Sequence, residues 1–220
     1  MSNRSIELDD RVHRYLIDVS LREDALAREL REETARMPDH NMQIAPEQGQ
    51  FMALLVKAIG AVRCIEVGVF TGYSSLLVAS ALPAGGRLVA CDISDAYTRV
   101  ARRYWQQAGV DDRIELRLGP AAETLDALRA EGGEGSYDFA FIDADKSSYD
   151  RYYEASLRLV RAGGLVAIDN TLWHGTVADP TVDDVDTRAI RALNEKLLDD
   201  ARVDLSLVPI GDGLTLCRKR

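Results

Sequence analysis

At 220 residues, with 46% hydrophobic and 29% charged side chains, the chain is long enough for one α/β domain with a proper core and short for two. A formal net charge of −9 argues against nucleic acid as a partner, which needs a basic face; no apolar run of membrane length and no signal-peptide pattern is visible. Cys64, Cys91 and Cys217 lie in apolar, strand-like surroundings without a C-x-x-C or Cys/His cluster, so they read as reduced core thiols of a cytoplasmic protein rather than a metal site.

In chain order, Asp9 and Asp10 look like a helix start, with Val12, Tyr15, Leu16 and Val19 following at helical spacing. A second helical segment, about 22–36, sets Leu26 and Leu30 on one side among many charges and reads as a solvated surface helix. The alternative is that this pair packs on a partner subunit or borders the substrate site. Residues 37–39 break the pattern, and 42–44 form a short loop. Pro46 suits the first turn of a helix. Its apolar stripe of Phe51, Met52, Leu55, Ala58 and Ile59 ends at Gly60.

Residues 63–67 form a short apolar strand, Gly68 and Gly72 punctuate a tight turn, and a helix opens at Tyr73 with Leu76, Leu77 and Ala81 on one face. A strand feeding a glycine turn into a helix leaves backbone N–H groups facing whatever sits in the turn. The pattern E-x-G-x-x-T-G is not the dinucleotide fingerprint, which needs glycine at Glu66 and Thr71. A carboxylate at Glu66 would repel a pyrophosphate and suits a ligand with positive charge and hydroxyls. Asp92, closing the apolar run 87–92, stands roughly twenty residues on, where an acid meets a ribose hydroxyl in nucleotide-binding α/β units. S-adenosylmethionine fits all of this; a βα turn without a ligand is the alternative.

Beyond Asp92 come a helix over 96–108 ended by Gly109, a strand over 113–118, and the turn Gly119-Pro120-Ala121-Ala122 leading to a helix over 123–129. A polar glycine-rich loop, 131–136, precedes a buried strand over 137–143. A helix over 149–160, closed by Gly163-Gly164, precedes a strand over 165–169. An acidic loop (179–186), a helix over 187–198 and a hairpin of strands 203–208 and 214–218 complete the chain. Such alternation means an α/β fold: a doubly wound, mostly parallel seven-stranded sheet with an antiparallel C-terminal hairpin. Ligands of these sheets sit beyond the carboxyl ends of the strands, where Glu66, Asp92, Asp143 and Asp169 all fall. Four acids along one edge are costly unless cations or hydroxyls meet them. Asp143, Asp169 and Asn170 offer three hard oxygen donors suited to Mg²⁺, with Mn²⁺ or Ca²⁺ as other choices. Singly, each also reads as a helix cap or a turn residue.

Five stretches, Pro46–Phe51 (PEQGQF), Glu66–Ser74 (EVGVFTGYS), Tyr137–Lys146 (YDFAFIDADK), Asp169–Gly175 (DNTLWHG) and Pro209–Arg218 (PIGDGLTLCR), together resemble the cation-dependent O-methyltransferases of the caffeoyl-CoA and catechol type. The resemblance runs in the same order from about residue 42 to 218. It implies a Rossmann-like class I methyltransferase, one domain over 1–220 with a helical extension (1–41) and a catalytic core (42–220), acting as a homodimer. The first forty residues match loosely, in the part that governs substrate choice in the family. By resemblance Glu66, Gly68, Val69 and Ser74 are similar to contacts of the cofactor's methionine and ribose, Asp92 to the ribose acceptor and Ala121 to the adenine contact. Met42 and Ile44 resemble the residues that close over the cofactor, although plant members often carry a small hydroxyl residue at Ile44. Asp143, also beside the cofactor, resembles a metal ligand together with Asp169 and Asn170, and Lys146 the general base. Where plant members have Trp-Asn-Gly, this chain has Trp173-His174-Gly175.

The chemistry implied is methylation of one hydroxyl of a vicinal aromatic diol of catechol, caffeoyl or flavonoid type. The diol's hydroxyl gives its proton to Lys146, and the phenolate so formed, which a metal would stabilise, attacks the sulfonium methyl in line. Trp173 either stacks on the aromatic acceptor or is a core residue, and His174 lines the substrate mouth. An exposed helix-start lysine is the other reading of Lys146. Three rival functions are a metal-independent methyltransferase of another small molecule, a non-enzymatic S-adenosylmethionine-binding module and, more distantly, a hydride-transferring enzyme.

Overall fold

The computed structural model describes residues 6–220. Asp9 caps α1 (Asp10–Ser20) by accepting the Val12 N–H at 2.8 Å, and Asp24 caps α2 (Ala25–Thr34) by accepting that of Ala27 at 2.8 Å. α1 buries none of its residues. α2 does not match the solvated helix that its charges suggest: Ala27, Leu30 and Thr34 sit between those charges on one face and are fully buried against α4 (Tyr73–Ala81) and α5 (Asp95–Gln107). After a 3₁₀ turn at His40–Met42, α3 (Pro46–Ala58) starts with Pro46 in its first turn.

The strands are β1 (Arg63–Val67), β2 (Arg87–Asp92), β3 (Ile114–Leu118), β4 (Tyr137–Ile142), β5 (Val160–Ile168), β6 (Val203–Val208) and β7 (Leu214–Lys219). They form one sheet in the order β3-β2-β1-β4-β5-β7-β6; the first five run parallel, and β7 is antiparallel to both neighbours. This is the doubly wound sheet with a terminal hairpin that the alternation implies. Along the central strands side chains alternate between two cores. Cys64, Leu88, Ala90, Phe139 and Phe141 meet α2 to α5 on one face. Ile65, Val67, Val89, Ala140 and Ile142 meet α6 (Ala121–Leu128), α7 (Tyr149–Leu159) and α8 (Val185–Leu198) on the other. The three cysteines are buried and unpaired, and no helix of the described residues is long and apolar enough to cross a membrane.

Four local expectations are corrected. α4 is not one-sided: it is wedged between the sheet, α2 and α3, so Tyr73, Ser74, Ser75, Leu76, Val78 and Ala79 are all buried. α6 begins at Ala121, two residues before the predicted start, because Pro120 already supplies a helix entry. Gly163-Gly164 does not close a helix. α7 ends at Leu159 and β5 begins at once, with Gly163 at φ +77° where the β4–β5 register shifts. α8 starts at Val185, capped by Asp184, whose carboxylate accepts the Thr187 N–H at 2.9 Å.

The strand order reverses between β1 and β4: β1 is followed outward by β2 and β3 on one side, β4 by β5 on the other. The crevice between these two strands, at their carboxyl ends, is the topological switch point where ligands bind in such sheets.

Candidate functional site

A cleft of about 970 Å³ opens at this point. The strand ladders aim its carboxylates. Asp143 extends β4 through its N–H to the Val67 carbonyl (2.8 Å), and Asp169 extends β5 through its N–H to the Ile142 carbonyl (3.0 Å). Met42, Ile44, Gly68, Val69, Ser74, Asp92, Ala121, Asp143, Lys146, Asp169, Asn170 and Trp173 all line this one cleft. Glu66 alone among the predicted site residues lies behind the wall, 2% exposed, with one carboxylate oxygen accepting from the Ser74 hydroxyl and Oε2 left without a partner. Burial pushes its carboxyl up to about 8, against the Ser74 bond that favours the charged form.

The glycine turn is closed more tightly than expected. Asp92 Oδ2 accepts the N–H groups of both Val69 and Phe70 at 2.9 Å, and Oδ1 accepts that of Ser94 at 2.7 Å. The Gly68 and Gly72 N–H groups bond the carbonyls of Cys91 and Val69, each at 2.9 Å. These four turn N–H groups therefore bond within the protein and do not face the cleft as unpaired donors: the Asp92 carboxylate on the neighbouring strand takes two of them and backbone carbonyls the other two. Gly68, at φ +94°, packs its Cα so closely on the Asp143 backbone that a Cβ would collide with that carbonyl, which welds the turn to the end of β4.

At the other end of the cleft Lys146 is buried, not an exposed helix-start lysine. Its Nζ donates to Asn170 Oδ1 (2.6 Å), the Tyr149 hydroxyl (2.6 Å) and Asp143 Oδ1 (3.1 Å), and lies 5.4 Å from the centre of the Trp173 ring. Trp173 is a cleft-wall residue rather than a core one. Burial raises the Asp143 carboxyl even with Lys146 beside it, and burial together with the Asp143 charge raises Asp169 to about 7. Among the described residues no group of three or more His, Cys, Asp or Glu is placed to hold a metal ion. The donor set here is two carboxylates and an amide, and the ammonium of Lys146 already draws Asp143 and Asn170 around a positive charge. Hard oxygens, two of them on buried and mutually repelling carboxyls, are chemically fitted to a divalent cation.

Every non-glycine residue with positive φ among those described, namely Phe70, Asn170, Trp173 and His174, lines this same cleft. Left-handed backbone at such residues costs about 1–3 kcal/mol each and clusters at functional sites. Sequence reasoning did not single out three further wall residues. Gln48 on α3 is 1% exposed with Nε2 unpaired, a buried polar residue hidden in an otherwise apolar helix face. Asp212 sits in the Gly-Asp-Gly hairpin turn and accepts the His174 N–H at 2.6 Å. Tyr152, whose hydroxyl donates to Asp145 at 2.6 Å, left no signal beyond its aromatic character.

The sequence profile of the family described as O-methyltransferase matches residues 17–220. The chain is 47% identical over 216 residues to a Dictyostelium discoideum protein named "Probable caffeoyl-CoA O-methyltransferase 2", covering 97% of this chain and 94% of that one. It is 40% identical over 229 residues to the caffeoyl-CoA O-methyltransferase of Eucalyptus gunnii, covering 100% and 91%. Among solved structures, the O-methyltransferase from Bacillus cereus in complex with SAH superposes with a TM-score of 0.85 at 32% identity, covering 96% of this chain and 97% of that one. TomG from Streptomyces achromogenes in complex with SAM gives 0.85 at 29% identity, covering 95% and 96%.

Proposed function

The chain belongs to the O-methyltransferase family and is an S-adenosylmethionine-dependent O-methyltransferase, and from that premise we propose that it methylates one hydroxyl of a vicinal aromatic diol with the help of a divalent cation. The observation that carries this reading is the convergence of Lys146, Asp143, Asp169 and Asn170 at one end of the cleft, beside the Trp173 ring.

In this reading the glycine-turn end of the cleft, with Val69, Ser74, Asp92 and Ala121, takes the cofactor, and Met42 and Ile44 cover it and exclude water. Asp143, Asp169 and Asn170 would hold the cation, which when bound supplies positive charge that favours the ionised form of a diol oxygen. Trp173 supplies a flat apolar face against which an aromatic ring can lie. Lys146 Nζ, in its neutral amine form, accepts the proton of the attacking hydroxyl. An oxygen–carbon bond forms as the sulfur–methyl bond breaks, so the electron pair of that bond leaves with the thioether product. The protein's main contribution is to hold oxygen, methyl carbon and sulfur in line, an effect worth up to about 7–11 kcal/mol in well-oriented systems.

The test is transfer of labelled methyl from S-adenosylmethionine to a panel of vicinal diols and matched monophenols, with Mg²⁺ and with chelator. Diols alone should be methylated, and chelator should abolish the reaction. Full activity in chelator, or monophenols methylated as fast as diols, favours instead a metal-independent methyltransferase of another small molecule.

A further inference from the structure

Lys146 Nζ has three hydrogen-bond partners, and they are not alike. Asn170 Oδ1 (2.6 Å) and Asp143 Oδ1 (3.1 Å) border the open cleft, and both belong to the oxygen set that would hold the cation. The Tyr149 hydroxyl (2.6 Å) lies outside that set, and the bond to it is the one of the three that is wholly buried. Tyr149 is 0% exposed and opens α7, directly after the 3₁₀ turn Lys146–Ser148. Its ring belongs to the core between the sheet and α6, α7 and α8, with its centre 4.7 Å from Nζ, and it stands behind the cleft wall. Burial, with the Asp143 and Asp169 charges nearby, pushes its hydroxyl well above the ordinary phenol value, so it stays a neutral phenol.

A general base on a long flexible stem has to be held within about 0.5 Å of its productive place. An oxygen whose lone pairs serve a divalent cation is a poorer acceptor, and that cation's charge repels an ammonium. Asp143 and Asn170 therefore hold Nζ less firmly when the site is loaded. Tyr149 keeps its acceptor strength in either state, because the core fixes its place and no ligand does. We propose that Tyr149 is the positioning residue of Lys146: its hydroxyl accepts one Nζ hydrogen and so keeps the free face of the nitrogen turned to the acceptor hydroxyl in the cleft. Behind the wall, it touches neither the acceptor nor the cofactor. The neutral amine takes the hydroxyl proton through its own lone pair, and Tyr149 neither gains nor loses a proton. This rests on the reading of Lys146 as the base in diol methylation.

The test compares catechol, protonated at about pH 8, with 4-nitrocatechol, which is largely ionised there and needs no base. Transfer of labelled methyl is followed with saturating S-adenosylmethionine and Mg²⁺. Tyr149→Phe should lower kcat for catechol about tenfold, and its loss for 4-nitrocatechol should be at least about fivefold smaller. KM for catechol should hold within about twofold, as should Mn²⁺ affinity by titration calorimetry. Lys146→Met should lose the catechol reaction selectively, and adding Tyr149→Phe to it should not move the ratio of the two diols further. Each ratio is taken within one enzyme, so a loss of folded protein does not shift it. Equal losses for the two diols in Tyr149→Phe, a Mn²⁺ affinity about tenfold weaker, or the same change of ratio in the Lys146→Met background overturns the positioning role and leaves the base reading standing. If Lys146→Met slows both diols equally, or neither, the base reading falls and this inference with it. If the parent enzyme methylates neither diol, the diol reading falls as well.

Discussion

Lys146 shows how a single side chain changes meaning with burial. Its Nζ is wrapped by Asn170, Tyr149 and Asp143 and it stands beside Trp173, so it belongs to the cleft, where the proposed proton transfer can be tested, and not to the surface. Lys146→Met should lower turnover by about 10²–10⁴-fold, the usual contribution of a positioned acid or base, with S-adenosylmethionine affinity within about twofold of the parent by calorimetry. Unchanged turnover removes Lys146 from proton transfer. The strand-end acids were legible because a strand's apolar run stops where the chain leaves the sheet, and its last polar residue names the site edge. Trp173 and His174 in left-handed conformation were not legible, because the bond from the His174 N–H to Asp212, 38 residues away, helps fix that backbone. Gln48 was missed for a similar reason: nothing in a helical stripe says which polar residue faces inward.

Among the elements, α2 is the one whose role the sequence concealed. Its buried Thr34 hydroxyl bonds the Thr71 hydroxyl at 2.8 Å, inside the glycine turn, and Glu23 just before it receives the Tyr73 hydroxyl at 2.6 Å and a two-point bond from Arg31 at 2.8 and 2.9 Å. Asp39 takes the Tyr97 hydroxyl, and Tyr97 in turn packs edge-on against Phe70, ring centres 4.7 Å apart. The N-terminal segment around α2 thus clasps the glycine turn from outside. Thr34→Val leaves the Thr71 hydroxyl buried with its partner gone, at about 1–3 kcal/mol. It should lower the urea midpoint without changing the slope and weaken the cofactor several-fold. Combined with Thr71→Val, the two losses should be smaller than their sum, which marks direct coupling; strict additivity would show that α2 and the turn are independent. Charge density hid this because three buried positions, Ala27, Leu30 and Thr34, decide the packing of α2 while the charged residues between them decide its appearance.

Across the whole molecule, strand–helix alternation was enough to read a doubly wound sheet, since parallel strands require crossovers. It did not give the order β5-β7-β6, in which the last strand inserts beside β5, because pairing of a terminal hairpin is decided by which sheet edge remains uncovered. That sheet draws carboxyl groups to one edge and leaves an electrostatic imprint on stability. Glu66 and Asp169 have raised folded-state values of about 8 and about 7. Each is protonated in both states below its unfolded value near pH 4, so neither opposes folding there. As pH rises to about 7–8 the unfolded chain releases those protons and the folded chain does not, and stability falls by on the order of a few kcal/mol. The ligand-free protein should therefore melt several degrees lower at pH 8 than at pH 5.5, and Glu66→Gln should flatten much of that slope; a melting temperature that climbs over the same interval contradicts the assignment. The unpaired oxygen of Glu66 behind the cofactor end carries this further. At neutral pH the empty enzyme is a reservoir of stored hydrogen ions, and a cationic sulfonium settling nearby should expel part of that store into solution. Heats of cofactor association would then differ between phosphate and Tris in proportion to buffer ionisation, which makes occupancy of this protein readable as acid released.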